Sequence, residues 1–301
     1  MNISEMLGEY ERDYALAMLG VEDFPYQKLS GKTIVVDGES EYMKLTICMS
    51  LLALNDKEKL SIKVLMLGNG NELSEKLAER NDFSLCSYEQ AAATEYNFFI
   101  STGICGLELD GTSAEYCRIT NNFARAISTA KSCLERCILL SDYRVYGELE
   151  RGLVISENEA GFVPFSNNGD MSQTTAVSIE TYFSAYAKQF NLPTIILRSG
   201  ILLGAKAELP QNFTDELFSA VAEGKQISLP NTRKKYSFTY LNEVIHALLY
   251  AFYEFKENSV FNVISRNATV SYETCLYDAD KMNGEEIRNM NEWNRIWGNR
   301  S

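Results

Sequence analysis

The stretch GKTIVVDGESEYMK, Gly31 to Lys44, decides how this chain folds. Lys32 to Val36 is a short apolar run rich in β-branched residues, bounded by glycines at Gly31 and Gly38, and it reads as a buried parallel strand. The residues that follow rise into a helical pattern from Tyr42 to Leu54. A strand, a glycine turn and a helix in that order begin a doubly wound α/β domain. A dinucleotide's pyrophosphate needs further glycines at this turn, so that the backbone approaches the anion and offers helix N-terminal amides. The chain has Gly38 and then Glu41 and Lys44.

Working outward, apolar runs alternate with helical patterns. Strands are expected at KVLMLG (Lys63–Gly68), NFFIST (Asn97–Thr102), RCILLS (Arg136–Ser141) and TIILRSG (Thr194–Gly200). Helices are expected near Glu72–Asn81, Ser113–Ala130 and Thr174–Phe190. Residues 1–30 read as a helical extension, 31–204 as a Rossmann-like domain of parallel sheet and covering helices, and 205–301 as a smaller, shortened α/β lobe. In that lobe NFTDELFSAVAEGKQI reads as a helix, YSFTYLNEVIHALLYAFYEF as a strand leading into a helix, and SVFNVIS as a strand; beyond Glu273 the pattern is weak.

A formal charge of −13 argues against nucleic acid and anionic membranes as partners, although TRKK (Thr232–Lys235) is a local phosphate candidate. No segment approaches the roughly 20 apolar residues of a membrane span. The start, MNISEMLGEYERDY, has neither a basic n-region nor an apolar core. Seven scattered cysteines without a CxxC pair fit reduced thiols, so a cytoplasmic protein is expected. His246 is the only histidine, which excludes any multi-histidine metal site, and no metal is expected.

Several stretches together resemble the NAD-dependent epimerase/dehydratase family, the extended short-chain dehydrogenase/reductases that modify nucleotide sugars. LLSDYRVYGE (Leu139–Glu148) is similar to its serine-bearing strand followed by VYG. SIETYFSAYAKQFNLPTIILRSGILLG (Ser178–Gly204) resembles its active-site helix, the next strand and the LR-x-G turn, and YSFTYLNEVIHALLYAF (Tyr236–Phe252) its R-x-F-x-Y and D-x-V stretch. Within the family the nearest likeness is to UDP-glucuronate decarboxylase-like members. The resemblance implies NAD or NADP at the carboxyl ends of the first strands, a sugar nucleotide between sheet and lobe, and a role in nucleotide-sugar metabolism feeding surface polysaccharide.

Position by position, the chemistry the resemblance implies is missing. The family's G-x-x-G-x-x-G falls on Gly38, Glu41 and Lys44. A carboxylate roughly 5 Å from a phosphate costs about 3 kcal/mol at an effective dielectric near 20. The family's Tyr-x-x-x-Lys falls on Ser172 and Ala176, and no such pair occurs between Gly161 and Lys188. Losing a general base costs roughly 10²–10⁴ in rate. The hydroxyl that polarises the sugar oxygen falls on Asp142, beside Ser141. The ribose carboxylate is replaced by Gly68 and Asn69, with Asn69 left as a hydrogen-bonding candidate, and the expected arginine by Tyr236, with Arg233 and Lys235 nearby for a nucleotide phosphate.

Three functions remain open on the sequence. One is a catalytically degenerate member acting as a binding or assembly subunit. It would form a homodimer, or a heterodimer with an active relative, through the helices near 113–130 and 174–190. Ile179, Tyr182, Phe183 and Tyr186 would then form either the seam or core. Another is an active enzyme with a rearranged site that uses Asp142 or Tyr143 as base. The third is a sugar-nucleotide binding module that dispenses with NAD.

Overall fold

The computed structural model describes residues 24–107, 109–147, 156–159, 171–203, 235–264 and 269–271. The run read as the first strand is β1 (Thr33–Asp37), followed by α1 (Glu41–Glu58), β2 (Lys63–Leu67), α2 (Glu72–Leu77), β3 (Phe83–Cys86) and α3 (Tyr88–Ala92). Then come β4 (Tyr96–Ser101), α4 (Ser113–Thr129), β5 (Cys133–Asp142), α5 (Ser172–Phe190) and β6 (Thr194–Ser199). Short strands β7 (Ile201–Leu203) and β8 (Lys235–Tyr240), helix α6 (Leu241–Tyr253), β9 (Ser259–Val263) and β10 (Thr269–Ser271) complete the order.

Seven strands form one sheet in the order β3-β2-β1-β4-β5-β6-β9, and every pairing is parallel. The order reverses between β1 and β4, which is the switch point of a doubly wound fold. Alternation along each strand sends side chains to two cores. Ile34 and Val36 of β1, with Ile138 and Leu140 of β5, face α1 and α6. Val35, Cys137 and Leu139 face α4 and α5, where Ile119, Phe123, Ile179 and Phe183 meet them.

Helix boundaries follow local chemistry. Ser40 caps α1 by accepting from Met43 N at 3.2 Å, and Thr112 caps α4 by accepting from Glu115 N at 3.1 Å. Strand β3 and helix α3 escape the sequence pattern because each is very short; Ser87 and Gln90 build a reciprocal cap that fixes α3. α2 ends at Leu77, earlier than the pattern to Asn81 suggests.

At Gly200 the chain passes from β6 into a second, three-stranded sheet, β10-β8-β7. A Cβ at Gly200 would lie 2.3 Å from the Ser237 carbonyl oxygen, so β8 runs too close for any other residue. Strand β9 falls within the stretch read as a smaller lobe, yet it pairs with β6 and extends the main sheet. The N-terminal helices, the helix read at 212–227 and the tail beyond Glu273 lie outside the described residues, apart from a short 3₁₀ turn at Tyr26–Leu29.

Candidate functional site

The switch point places the carboxyl ends of β1, β2 and β4 under the N-terminus of α1. Gly38 sits there with φ +147, and a Cβ built on it would lie 1.8 Å from Thr102 Oγ1. Only glycine fits, because the Thr102 side chain already occupies the space beside the turn. Thr102 N also donates to Asp37 O at 2.8 Å, which draws the β4 end against the loop.

Charged side chains crowd this turn. The Asp37 carboxylate accepts from Ser101 Oγ at 3.1 Å and is buried. Burial pushes it up to about 6, although the Lys44 charge and the Ser101 hydrogen bond oppose the shift. Lys44, 6% exposed, donates from Nζ to Leu67 O at 3.2 Å and stands 3.4 Å from Glu41 Oε2. Its amine lies 3.7 Å from where a Cβ on Gly68 would be, so it lies across the end of β2. Glu39 turns the other way, accepting from Asn122 Nδ2 at 3.0 Å and from the Arg118 guanidinium of α4. Arg125 stacks 4.6 Å above the Tyr88 ring, and burial with the nearby Asp37 charge pushes that phenol up to about 12.

Between these groups remains a cavity of about 10 Å³ bordered by Asp37, Gly38, Glu39, Gly103, Asn122 and Phe123. That is room for one water. The residues present do not fit a dinucleotide here. The turn carries three carboxylates, and Glu41 and Lys44 stand where the family's pattern has glycines.

The positions matched to catalytic groups lie at the end of β5 and the start of α5. Ser141 and Asp142 are buried at the end of β5. Asp142 caps the turn Tyr143–Tyr146 by accepting from Arg144 N at 2.9 Å, and its carboxylate is paired with the Arg144 guanidinium. Arg144 also donates to Ile104 O and Leu107 O at 3.1 and 2.8 Å. A carboxylate so held anchors the turn. Ser172 opens α5, and Ala176 is 1% exposed in the core beneath it. Asn69 is exposed in the loop after β2. Arg233 lies outside the described residues, and Lys235 begins β8, paired in register with Ser271. Sequence reading left the seam residues open; Ile179 and Phe183 are core, whereas Tyr182 is 49% exposed and Tyr186 donates to Ser128 O at 3.0 Å.

One unit went unnoticed in the sequence. Arg198 bonds both oxygens of Glu180 at 2.9 and 2.7 Å and lies 4.8 Å over the Tyr146 ring, while Tyr146 OH donates to Asn262 Oδ1 at 2.5 Å. Arg198, Glu180 and Tyr146 sit within the motifs that carry the family resemblance. The signal was there: a buried-strand arginine needs a partner, and Glu180 is the acidic residue on the facing helix.

Comparison with known proteins agrees with this scaffold. The NAD dependent epimerase/dehydratase family matches residues 110–263, half of the chain, and the protein belongs to that family. Its fold is similar to that of UDP-glucuronic acid 4-epimerase from Bacillus cereus, solved with NAD, at 17% identity and a TM-score of 0.66, covering 84% of this chain and 83% of that one. UDP-glucose 4-epimerase from Thermotoga maritima, solved with UDP-glucose, gives 16% identity and 0.62, covering 83% of each chain. dTDP-glucose 4,6-dehydratase from Bacillus anthracis, solved with NAD, gives 13% and 0.61, covering 87% and 91%. No curated protein sequence matches the chain. Among the described residues no helix is long and apolar enough to cross a membrane, and no group of three His, Cys, Asp or Glu side chains is placed to hold a metal.

Proposed function

We propose that this protein is a catalytically degenerate member of its family, a cytoplasmic binding or assembly subunit in nucleotide-sugar metabolism that serves surface polysaccharide. One observation carries the reading: Asp37, Glu39, Glu41 and the Lys44 amine crowd the turn at Gly38, where the family resemblance implies the cofactor's pyrophosphate. The replacement of Tyr-x-x-x-Lys by Ser172 and Ala176, and the engagement of Asp142 by Arg144, support it from the chemical side.

The small-molecule ligand in this reading is a sugar nucleotide, with Arg233 and Lys235 serving its diphosphate. The protein partner is a second copy or an active relative, docked on the outer faces of α4 and α5. Exposed Tyr182 and Phe190 on α5 and exposed Cys117 on α4 support that surface, since large apolar groups in water are better covered.

A calorimetric titration of the purified protein with NAD⁺ and NADP⁺, carried to millimolar cofactor, tests the core of the proposal. No saturable heat is expected. Saturation at micromolar concentration would overturn it. Titration with UDP-glucose and sedimentation with and without an active relative then address ligand and partner.

A further inference from the structure

The loop at Gly38 is tied to α4 from outside, beside its backbone bonds to the segment after β4. Inside, Thr102 Oγ1 is fully buried with no hydrogen-bond partner among the described residues, and so is Glu41 Oε1. Unmet polar atoms disfavour the arrangement that buries them. Outside, Glu39 has a partner for each carboxylate oxygen: Asn122 Nδ2 at 3.0 Å on Oε1 and the Arg118 guanidinium on Oε2. Its side chain is 13% exposed against 55% for Arg118, so the acid is drawn inward while the base stays in solvent.

Arg118 and Asn122 are four residues apart on α4 and therefore share one face. A guanidinium beside an amide N–H is a donor set for two oxygens of one anion, whether carboxylate or phosphoryl. The set stands at the mouth of the cavity, whose border includes Asn122 and Glu39 themselves. Glu41, the next acid on the loop, is set against Lys44 instead, at 3.4 Å. Glu39 is thus the loop's link to α4.

We propose that Glu39 is an internal ligand. It occupies an anion clamp made by Arg118 and Asn122 and so keeps the loop closed, and an anion bearing phosphoryl oxygens that takes its place opens the crevice. This rests on the reading that the resting crevice takes no NAD.

The test uses the full-length chain with inorganic pyrophosphate as probe, followed by calorimetry and by hydrogen exchange of the amides from Gly38 to Lys44. Glu39→Ala is expected to bind pyrophosphate about tenfold more tightly than the wild type, equivalent to about 1.4 kcal/mol. Adding Arg118→Ala to that variant is expected to abolish the gain. Exchange at the loop is expected to speed up in Glu39→Ala, less so in Glu39→Gln, and to speed up in the wild type when pyrophosphate displaces Glu39. Should Glu39→Ala not fold, Glu39→Gln decides by the same two readouts. Equal affinities in all variants, or unchanged loop exchange, would overturn the clamp. Micromolar NAD⁺ binding by the wild type overturns the non-catalytic reading instead, so the two failures are distinct.

Discussion

Two charged clusters stand at opposite ends of the same sheet and are finished to different degrees. At the amino ends of β2 and β3, Arg80 bonds Asp56 at 3.0 and 2.8 Å and Asp82 at 2.8 and 2.7 Å. Asn55 ties Asp82 to the backbone at Ile62, so all four carboxylate oxygens have partners. At the carboxyl ends, Asp37, Glu39, Glu41 and Lys44 surround Gly38, and Glu41 Oε1 and Thr102 Oγ1 lack hydrogen-bond partners among the described residues. Burial works against the charge of Asp82, but the Arg80 hydrogen bonds and charge outweigh it and hold that acid below its ordinary range. Asp37 is shifted the other way, to about 6. The first cluster is scaffolding with each group answered. The second carries polarity that scaffolding alone does not require.

The largest test of that contrast is at the finished end. Arg80→Ala leaves two carboxylates facing each other beside a buried gap, and it is expected to cost about 3–5 kcal/mol in urea unfolding. A loss below about 1 kcal/mol would make the network ornamental and remove the contrast.

Asp37→Asn probes the unfinished end. The folded-state value of about 6 lies above the ordinary 3.8, so the native state holds more protons between those values. Wild-type stability is therefore expected to fall as pH rises from about 4 to beyond 6, by up to about 3 kcal/mol. The asparagine variant removes that slope and is the more stable protein at pH 7.5. Parallel pH profiles for the two proteins would show that Asp37 is not strained by burial.

The smallest effect is expected at Thr102→Val, which keeps the shape and deletes an unmet hydroxyl. A gain of about 1 kcal/mol is expected. A loss of similar size would mean that the hydroxyl is bonded to water in the small cavity, and the second cluster would then count as satisfied.

Much of this was legible in the residues. The parallel sheet followed from apolar runs such as Ile34–Val36 and Ile138–Leu140, which need burial on both faces. The missing catalytic pair was readable because four-residue spacing on a helix is a local pattern. The short β3 and α3 were not readable: four or five residues carry too little periodicity to stand out. Nor was the place of β9 in the main sheet, because an isolated strand does not name its neighbour. In the candidate site, Asp142 was singled out by position, but its pairing with Arg144 was invisible in a pattern that treats both as polar residues at a strand end.

The sequence by itself determined the family, the order of the longer strands and helices of the main domain and the absence of Tyr-x-x-x-Lys between Gly161 and Lys188, since each is written in spacing along the chain. Only the tertiary structure decided that Lys44 lies across the end of β2, that Glu41 faces it, and that Glu39 reaches Arg118, 79 residues further on. Periodicity is set by backbone geometry within a few residues, whereas the partner a charge finds depends on which distant elements the packed sheet brings within reach.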